Sequence, residues 1–340
     1  MKKSTSIGLA LLAFTLLCRY STRIADLYAL YVYPPLSGAL SWLSSGVSFS
    51  MQDVALVLIV AAAIGIPVVS IRRKRGFVGC LKQEALLVLW TYVWFYMAWC
   101  NNYGRSSIYA RTGSVPVAFD EAAFTRYLED FTERINTAWT PEDAPSKEWL
   151  EEEVKAFYNC MPTHYGLARA RAWQHPKSTV FNAVYSAVGI QGFMEPLLAE
   201  SCINRDMLPG DYPFVYAHEY AHLLGISNEA ECNWWAYQVC ISSGHEAVRY
   251  SALKNILPHL MRNARMFYPE EKYQAWMMTL RPEVMEDLQK TSDHWRALRS
   301  PQLRQLHEVT YDLFLRGNNI SSGLQNYSEV VGLLLSIQPH

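Results

Sequence analysis

The sequence predicts a mainly α-helical chain of the α+β class, in which N-terminal transmembrane helices precede a mostly helical domain with a small β-sheet. Apolar residues make up 51% of the chain and charged residues 18%, below the roughly 25% charged of ordinary soluble domains. The apolar stretches are concentrated in the first 100 residues, and the rest of the 340-residue chain carries helical patterns with one β-branched segment. These observations predict a membrane anchor over residues 1–100 and a second domain over residues 101–340.

Three stretches of the anchor are predicted to cross the membrane, over about residues 5–20, 54–71 and 85–100. The second is a run of 18 uncharged residues, close to the roughly 20 that cross a bilayer. The third is nearly as apolar and holds several Trp and Tyr residues, which suit a membrane interface. The first follows two lysines and has no small-residue cleavage site, so we interpret it as a membrane helix and not as a signal peptide.

Basic residues predict the orientation of this anchor. Arg72-Arg73-Lys74-Arg75 lie between the second and third stretches, and Lys2-Lys3 precede the first. Because cytoplasmic loops carry an excess of Lys and Arg, both regions are expected inside, and residues 21–52 and 101–340 outside. We therefore expect a multi-pass protein of the cytoplasmic membrane with the lipid bilayer as a partner.

One short motif predicts the chemistry of the outer domain. In His218-Glu219-Tyr220-Ala221-His222, the two histidines are four residues apart and share one face of a helix. This is the HExxH pattern, in which both imidazoles bind one Zn²⁺ and the intervening Glu lies beside the open coordination position. Asp211 is a plausible N-cap of this helix, Pro213 suits its first turn, and Gly225 is a natural stop.

The next helix begins at Ser227 or Asn228 and supplies the expected third ligand. If Asn228 is the N-cap, Glu231 stands at the third helical position and completes a capping box. Glu229 is then the better candidate ligand, although an acid in a first turn also simply complements the helix dipole. Asn233 shares the face of Glu229, where it would accept a hydrogen bond from a ligand histidine and orient its ring.

These residues resemble known families. Glu229 with Asn233 looks like the third-ligand helix of the gluzincin peptidases, with Asn in place of Asp, whereas Gly225 matches the metzincin pattern, which would place Asn228 at the third-ligand position. The whole chain resembles a bacterial membrane family named domain of unknown function 3810. The resemblance implies a zincin-like extracytoplasmic domain on a bacterial inner membrane and leaves the substrate open. It rests on Tyr33-Pro34, Trp99, Asn102-Tyr103-Gly104-Arg105, Gly192, Pro196, Glu200, Arg249-Tyr250-Ser251 and Asn326-Tyr327-Ser328.

The leading hypothesis is a membrane-anchored zinc metallopeptidase that cleaves a peptide or protein substrate. His218, His222 and Glu229 would bind Zn²⁺, and Glu219 would be the general base. One alternative is a non-catalytic zinc-containing membrane sensor or assembly protein. An intramembrane protease is disfavoured because the motif helix is too short to span a bilayer. The net charge of −1 and the lack of a basic patch argue against nucleic acid.

The remaining segments give coarser expectations. Residues 178–193 are the clearest strand region, and in zinc peptidases an edge strand before the motif pairs with extended substrate. A Cys160–Cys202 disulfide is possible because an extracytoplasmic domain permits disulfides, although no spacing rule supports this pair. The sequence does not indicate the oligomeric state. Arg249, Tyr250 and Tyr327 are candidate oxyanion donors by residue type only. Helices are expected around 120–153, 247–264, 269–292, 301–316 and 327–336.

Overall fold

The computed structural model describes residues 2–118, 120–318, 320 and 329–337. This part of the chain is mostly helical, with one two-stranded sheet, so the predicted mainly α class is confirmed. The helices are α1 (Lys2–Tyr20), α2 (Thr22–Leu27), α3 (Tyr33–Ser44), α4 (Met51–Arg72), α5 (Gly76–Ala98), α6 (Ile108–Thr112), α7 (Glu121–Ala138), α8 (Lys147–Cys160), α9 (Asn182–Val188), α10 (Tyr212–Leu223), α11 (Glu229–Ile241), α12 (Glu246–Phe267), α13 (Glu270–Met277), α14 (Pro282–Leu298), α15 (Pro301–Gly317) and α16 (Val330–Ser336).

The sheet is an antiparallel hairpin of β1 (Gly192–Glu195) and β2 (Glu200–Ile203). Helix α10 packs beside this hairpin, α11 folds back along α10, and α12 packs against both helices. Every residue of α10 is buried, and so is every residue of α11 up to Cys240. The large side chains Trp235, Tyr216 and Tyr220 fill the space between these elements and their neighbours. The motif helix therefore lies at the centre of the core.

One described helix is long and apolar enough to cross a membrane. This is α4, which has 22 residues and an apolar window of which only 6% is buried against the rest of the chain. Residues Lys3–Tyr20 and Thr22–Ser44 pass the same test only as a pair that is bent by 111°. Of the three predicted membrane helices, only the second is a candidate span by itself among the described residues, so the three-helix anchor stays a prediction. Helix α5 does not pass this test, and its first half includes the charged residues Lys82 and Glu84.

The predicted strand over residues 178–193 is wrong for most of its length. Residues Asn182–Val188 form helix α9, and only the last two predicted residues belong to β1. Polar contacts outweigh the β-propensity of this segment, since the Ser186 hydroxyl bonds to the Asn182 carbonyl at 3.0 Å and to Asp206 at 2.6 Å. Gly189, at φ +84°, then ends the helix.

Three other segments refine the expected elements. The acidic region 120–153 contains α7 and the start of α8, with Pro141 and Pro145 in the break between them. The expected helix over residues 269–292 is divided into α13 and α14, because the chain turns before Pro282. In the last segment α16 begins at Val330, and residues 327 and 328 lie outside the described residues. All seven cysteines are free, including Cys160 and Cys202.

Buried polar contacts join the first turn of α4 to the β-hairpin. The backbone N–H groups of Met51 and Gln52 both donate to Oε2 of Glu200 at 3.0 Å, so this carboxylate satisfies a helix N-terminus. Lys177 pairs with the other oxygen of Glu200 at 2.5 Å. Ser50 donates to Oε2 of Glu195 at 2.6 Å. The head of α4 is therefore fixed to the sheet that borders the motif helix.

The pKa of Glu195 makes stability depend on pH. Burial raises this pKa to about 8 from an ordinary 4.5, the nearby Glu200 and Asp53 carboxylates add to the rise, and Ser50 opposes it. An acid with a raised folded pKa contributes stability that is complete below 4.5 and is lost as pH rises through 8. The melting temperature of the wild type should therefore fall between pH 5 and pH 8.5.

Glu195→Gln imitates the protonated acid and keeps an oxygen for Ser50. We expect this variant to melt at least about 2 °C higher than the wild type at pH 8.5 and close to it at pH 5. Thermal unfolding of the purified full-length chain at both pH values is the measurement. A Gln variant that is less stable than the wild type at pH 8.5 would show that the fold stabilises the ionised carboxylate, so that the pKa of Glu195 is not raised.

Candidate metal centre

The motif helix α10 begins after Asp211, as expected, but Asp211 does not cap it through its side chain. Its carboxylate pairs with Lys254 at 2.7 Å and accepts from Thr291 at 3.1 Å. Leaving the buried ammonium of Lys254 without a charged partner costs more than leaving a helix N-terminus without a side-chain cap. The Asp211 carboxylate therefore pairs with Lys254. At the other end Gly225 adopts φ +97°, where a side chain would be strained, and the chain reverses there.

Donors from distant segments satisfy the carbonyl groups at the C-terminal end of α10. The indole of Trp99 donates to the His222 carbonyl at 2.8 Å, and the Tyr33 hydroxyl donates to the Leu223 carbonyl at 2.7 Å. The backbone N–H of Ala168 reaches the Leu224 carbonyl at 2.9 Å. The guanidinium of Arg105 donates to the Gly225 carbonyl at 2.7 Å. These carbonyls lie past the last i to i+4 hydrogen bond of the helix, so the contacts stabilise the turn in one conformation.

The reversal brings Glu229 onto the two histidines. Asn228 is the N-cap of α11, and its side-chain oxygen accepts from the Glu231 N–H at 2.9 Å. Oε2 of Glu229, one residue after the cap, lies 3.1 Å from Nε2 of His218 and 3.2 Å from Nε2 of His222. The three ligand atoms all lie within 4.8 Å of one another, and all three residues are buried. The three predicted ligands therefore converge on one point.

The outer nitrogens of both imidazoles are occupied. Nδ1 of His218 lies 2.9 Å from Oδ1 of Asn233, the residue expected to orient a ligand histidine. Nδ1 of His222 lies 2.7 Å from the Ile226 carbonyl. An acceptor at Nδ1 favours the tautomer that carries its proton there, which would leave both Nε2 lone pairs available to a cation held beside Glu229. The Cys232 thiol is also beside Nδ1 of His222, at 3.3 Å, on the side away from the convergence point.

This donor set fits a divalent cation. Bonds of about 2.0–2.1 Å in tetrahedral geometry separate neighbouring ligand atoms by about 3.3 Å, close to the two Glu229–histidine distances. Burial opposes the charge of Glu229, but the two histidines outweigh it and hold the pKa of Glu229 below its usual range. Two neutral imidazoles and one carboxylate leave room for a fourth ligand, as in open sites.

Glu231, the other acid of this turn, points elsewhere. One carboxylate oxygen forms a buried ion pair with Arg111, and the other accepts from the Trp235 indole at 3.2 Å. Its backbone N–H receives the cap from Asn228, so half of the predicted capping box is present. Glu231 therefore holds α6 against α11 and takes no part in the triad.

Glu219 lies beside the triad and against strand β1. A Cβ atom at Gly192 would lie 2.6 Å from Cγ of Glu219, so only glycine fits there without displacing the side chain. Burial raises the pKa of Glu219 to about 7, the Glu229 charge adds to the rise, and the two histidines oppose it. Its Oε2 is buried without a hydrogen-bond partner among the described residues. A carboxyl group of this pKa exchanges protons readily near neutral pH.

The triad and Glu219 line a cleft of about 720 Å³. One wall is β1 with residues 188–191, and another is α15, whose Tyr311 hydroxyl donates to Oε1 of Glu229 at 2.8 Å. Tyr311 is 82 residues from Glu229 in the chain, and no sequence pattern identified it. Of the expected oxyanion donors, Tyr250 bonds to Asp287 and Arg249 to a backbone carbonyl, both outside the cleft lining. Tyr327 lies outside the described residues.

A family model described as a protein of unknown function (DUF3810) matches residues 28–335. The chain belongs to this family. A search of curated proteins and a search of solved structures found no match. The matched range covers the motif, the hairpin and the segments around Tyr33, Trp99 and Arg105 that hold the end of α10. The function must therefore be argued from the site itself.

The geometry predicts that Glu229, and not Glu231, is needed for metal binding. Glu229→Ala should lower the affinity for zinc at least about tenfold, because it removes a direct donor. Glu231→Gln is the matched control, and it should bind zinc like the wild type. Gln keeps a partner for Arg111, whereas Ala would leave that buried cation unpaired at a cost of about 3–5 kcal/mol. Equilibrium dialysis with metal analysis measures both, and zinc loss in Glu231→Gln alone would contradict the assignment.

Proposed function

We propose that this chain is a membrane-anchored, zinc-dependent metallopeptidase with a gluzincin-like centre. The observation that carries the proposal is the convergence of both Nε2 atoms and Oε2 of Glu229 on one point, with Glu219 beside it in an open cleft. A structural metal site needs four protein ligands and no base, whereas this arrangement offers three ligands and a carboxyl group. His218, His222 and Glu229 would bind Zn²⁺, and Asn233 would fix the ring of His218.

Bound zinc would polarise a peptide carbonyl and make a water molecule more acidic. Glu219 then accepts the proton of the attacking water and delivers it to the leaving amine. Tyr311 holds Oε1 of Glu229, which directs Oε2 to the histidines. Gly192 leaves the space that the Glu219 side chain occupies.

Strand β1 is the proposed docking edge for an extended substrate. One edge of β1 pairs with β2, and Gly192, Phe193 and Met194 line the cleft. A free strand edge offers backbone N–H and C=O groups to a peptide, which adds as a further strand. A peptide held there lies beside Glu219, because Gly192 is in contact with that side chain. This geometry supports a peptide or protein substrate.

The proposed orientation places the cleft outside the cytoplasmic membrane. Arg72-Arg73-Lys74-Arg75 connect the ends of α4 and α5 that we assign to the cytoplasm. The opposite ends of both helices contact the site region, since Ser50 bonds to Glu195 of β1 and Trp99 bonds to the end of α10. The cleft then lies close to the outer surface of the cytoplasmic membrane.

A non-catalytic zinc protein of the membrane is the second candidate. It would use the same triad with a fourth protein ligand, and Cys232 is the nearest thiol. Its thiol faces Nδ1 of His222, the ring nitrogen away from the point where the ligand atoms converge. A zinc ligand must be directed at the metal, so this position does not suit a fourth ligand.

Glu219→Gln separates these two functions. Gln keeps the size of the side chain and removes its ability to accept a proton, so zinc affinity and folding should be unchanged. Hydrolysis of a peptide library, read as fragments by mass spectrometry, should fall by roughly 10²–10⁴-fold. His218→Ala is the control that loses zinc as well as activity. Cleavage by Glu219→Gln at the wild-type rate would refute the assigned base.

The orientation predicts where the C-terminus lies. A reporter enzyme that is active only in the cytoplasm, fused after His340, should give no signal in bacterial cells. The same reporter fused after Lys74 should be active, because that loop is assigned to the inside. Activity of the fusion after His340 would reverse the proposed topology.

A further inference from the structure

One cation in the cleft forms no ion pair within the described residues, and the acidic charge that acts on it from a distance, Glu308, is paired with Arg304. Arg299 follows the end of α14 and lines the same cavity as His218, Glu219 and His222. Its Nε is buried without a hydrogen-bond partner, and within the described residues no carboxylate forms an ion pair with its guanidinium. The neighbouring Arg304 differs, because it is exposed and pairs with Glu308 at 2.6 Å.

The position of Arg299 is fixed by close contact. The next residue, Ser300, donates its backbone N–H to the Ala187 carbonyl at 2.8 Å. The guanidinium lies directly on Gly189, where an added Cβ would be 2.5 Å from Nε. Gly189 ends α9 with φ +84°. The same residue therefore both turns the chain and packs against the guanidinium of Arg299. A partly desolvated guanidinium that faces a cleft favours a ligand carrying negative charge.

Arg299 lies within the length of a short peptide from the triad. Gly189 contacts Arg299, and Gly192 contacts Glu219. Two residues lie between the two glycines, so three Cα–Cα steps place their Cα atoms at most about 11 Å apart. An extended peptide along β1 covers this distance with about three residues. A charged group on such a peptide reaches Arg299 while a neighbouring peptide bond lies at the triad.

We propose that Arg299 binds a carboxylate of the substrate, either the free C-terminus or an acidic side chain, about one to three residues from the cleaved bond. This inference rests on the proposed peptidase function and names its substrate class. The planar guanidinium matches a carboxylate through two parallel N–H···O bonds, which an ammonium does not reproduce. Arg299 is thus a specificity-determining residue, separate from the groups that bind zinc or move protons.

Peptide binding to the full-length Glu219→Gln protein tests this, because this variant is expected to bind substrate without cleaving it. The probe is a random hexapeptide library in two forms, with free C-terminal carboxylates or with C-terminal amides. Bound peptides are identified by mass spectrometry. We expect enrichment of peptides with a free C-terminus if that group is the ligand, or of Asp and Glu within the amidated library if a side chain is.

Arg299→Met in the same background should lower this enrichment about tenfold or more, the loss expected for a charge-assisted pair. Arg299→Lys should restore it only in part. Arg304→Met is the matched control, since it removes one charge from the same cleft and should keep the preference. No binding, no preference for carboxylates, or a preference that survives Arg299→Met would overturn the proposal.

Cleavage of the same library by the wild type with zinc separates the two claims. Cleavage without a carboxylate preference would support the peptidase function and refute the proposed role of Arg299. A carboxylate preference in binding, without any cleavage by the wild type, keeps the Arg299 site and refutes the peptidase.

Discussion

The C-terminal turn of α10 is the constraint on which the metal centre depends. Carbonyl groups at the end of a helix lack partners, and here the indole of Trp99, the hydroxyl of Tyr33 and the guanidinium of Arg105 supply them. These donors fix the reversal at Gly225, and the reversal determines how far Glu229 lies from the histidines. Leaving one such buried carbonyl unpaired costs about 1–3 kcal/mol, enough to favour other conformations of the turn. The ligand geometry is therefore determined by residues more than 100 positions away along the chain.

The same contacts make the N-terminal region part of the site. Tyr33 and Trp99 precede residue 100, within the segment expected to be only an anchor, yet both contact the motif helix. The hydrophobic core is continuous from Cys18 to Ile337 across the described residues. At the sheet, Glu200 of β2 accepts the first N–H groups of α4, and Ser50 donates to Glu195 of β1, the strand whose Gly192 contacts Glu219. The candidate membrane span is thus hydrogen-bonded to the hairpin that borders the cleft.

The sequence predicted the local part of the site and missed its distant part. Helical spacing places His218 and His222 on one face, and the cap at Asn228 positions Glu229, so short-range geometry was sufficient. Asp211 was assigned as a cap because its competing partner, Lys254, is visible only in the fold. The strand over residues 178–193 failed because polar contacts around Ser186 outweigh β-propensity.

Some of the site residues contributed by distant segments have no signal in the sequence, whereas others match the family resemblance. Tyr311 and Arg299 reach the cleft from α15 and the turn before it, and no local pattern identifies such contacts. Tyr33, Trp99, Arg105 and Gly192 were noted only as points of resemblance to the family. In the structure the first three hold the end of α10, and the fourth makes room for Glu219. The resemblance therefore marked site residues whose role could not be read from their own sequence neighbourhood.

The central claim is that three side chains bind zinc and leave its fourth position open. X-ray absorption at the zinc edge, on the full-length protein loaded with one equivalent of zinc, tests this most directly. The account predicts a stoichiometric site with four nitrogen or oxygen neighbours at about 2.0–2.1 Å, two of them imidazoles, and exchange of the fourth for a small added anion. A sulfur neighbour at about 2.3 Å, which would assign Cys232 as a ligand, or failure to bind one equivalent, would contradict it.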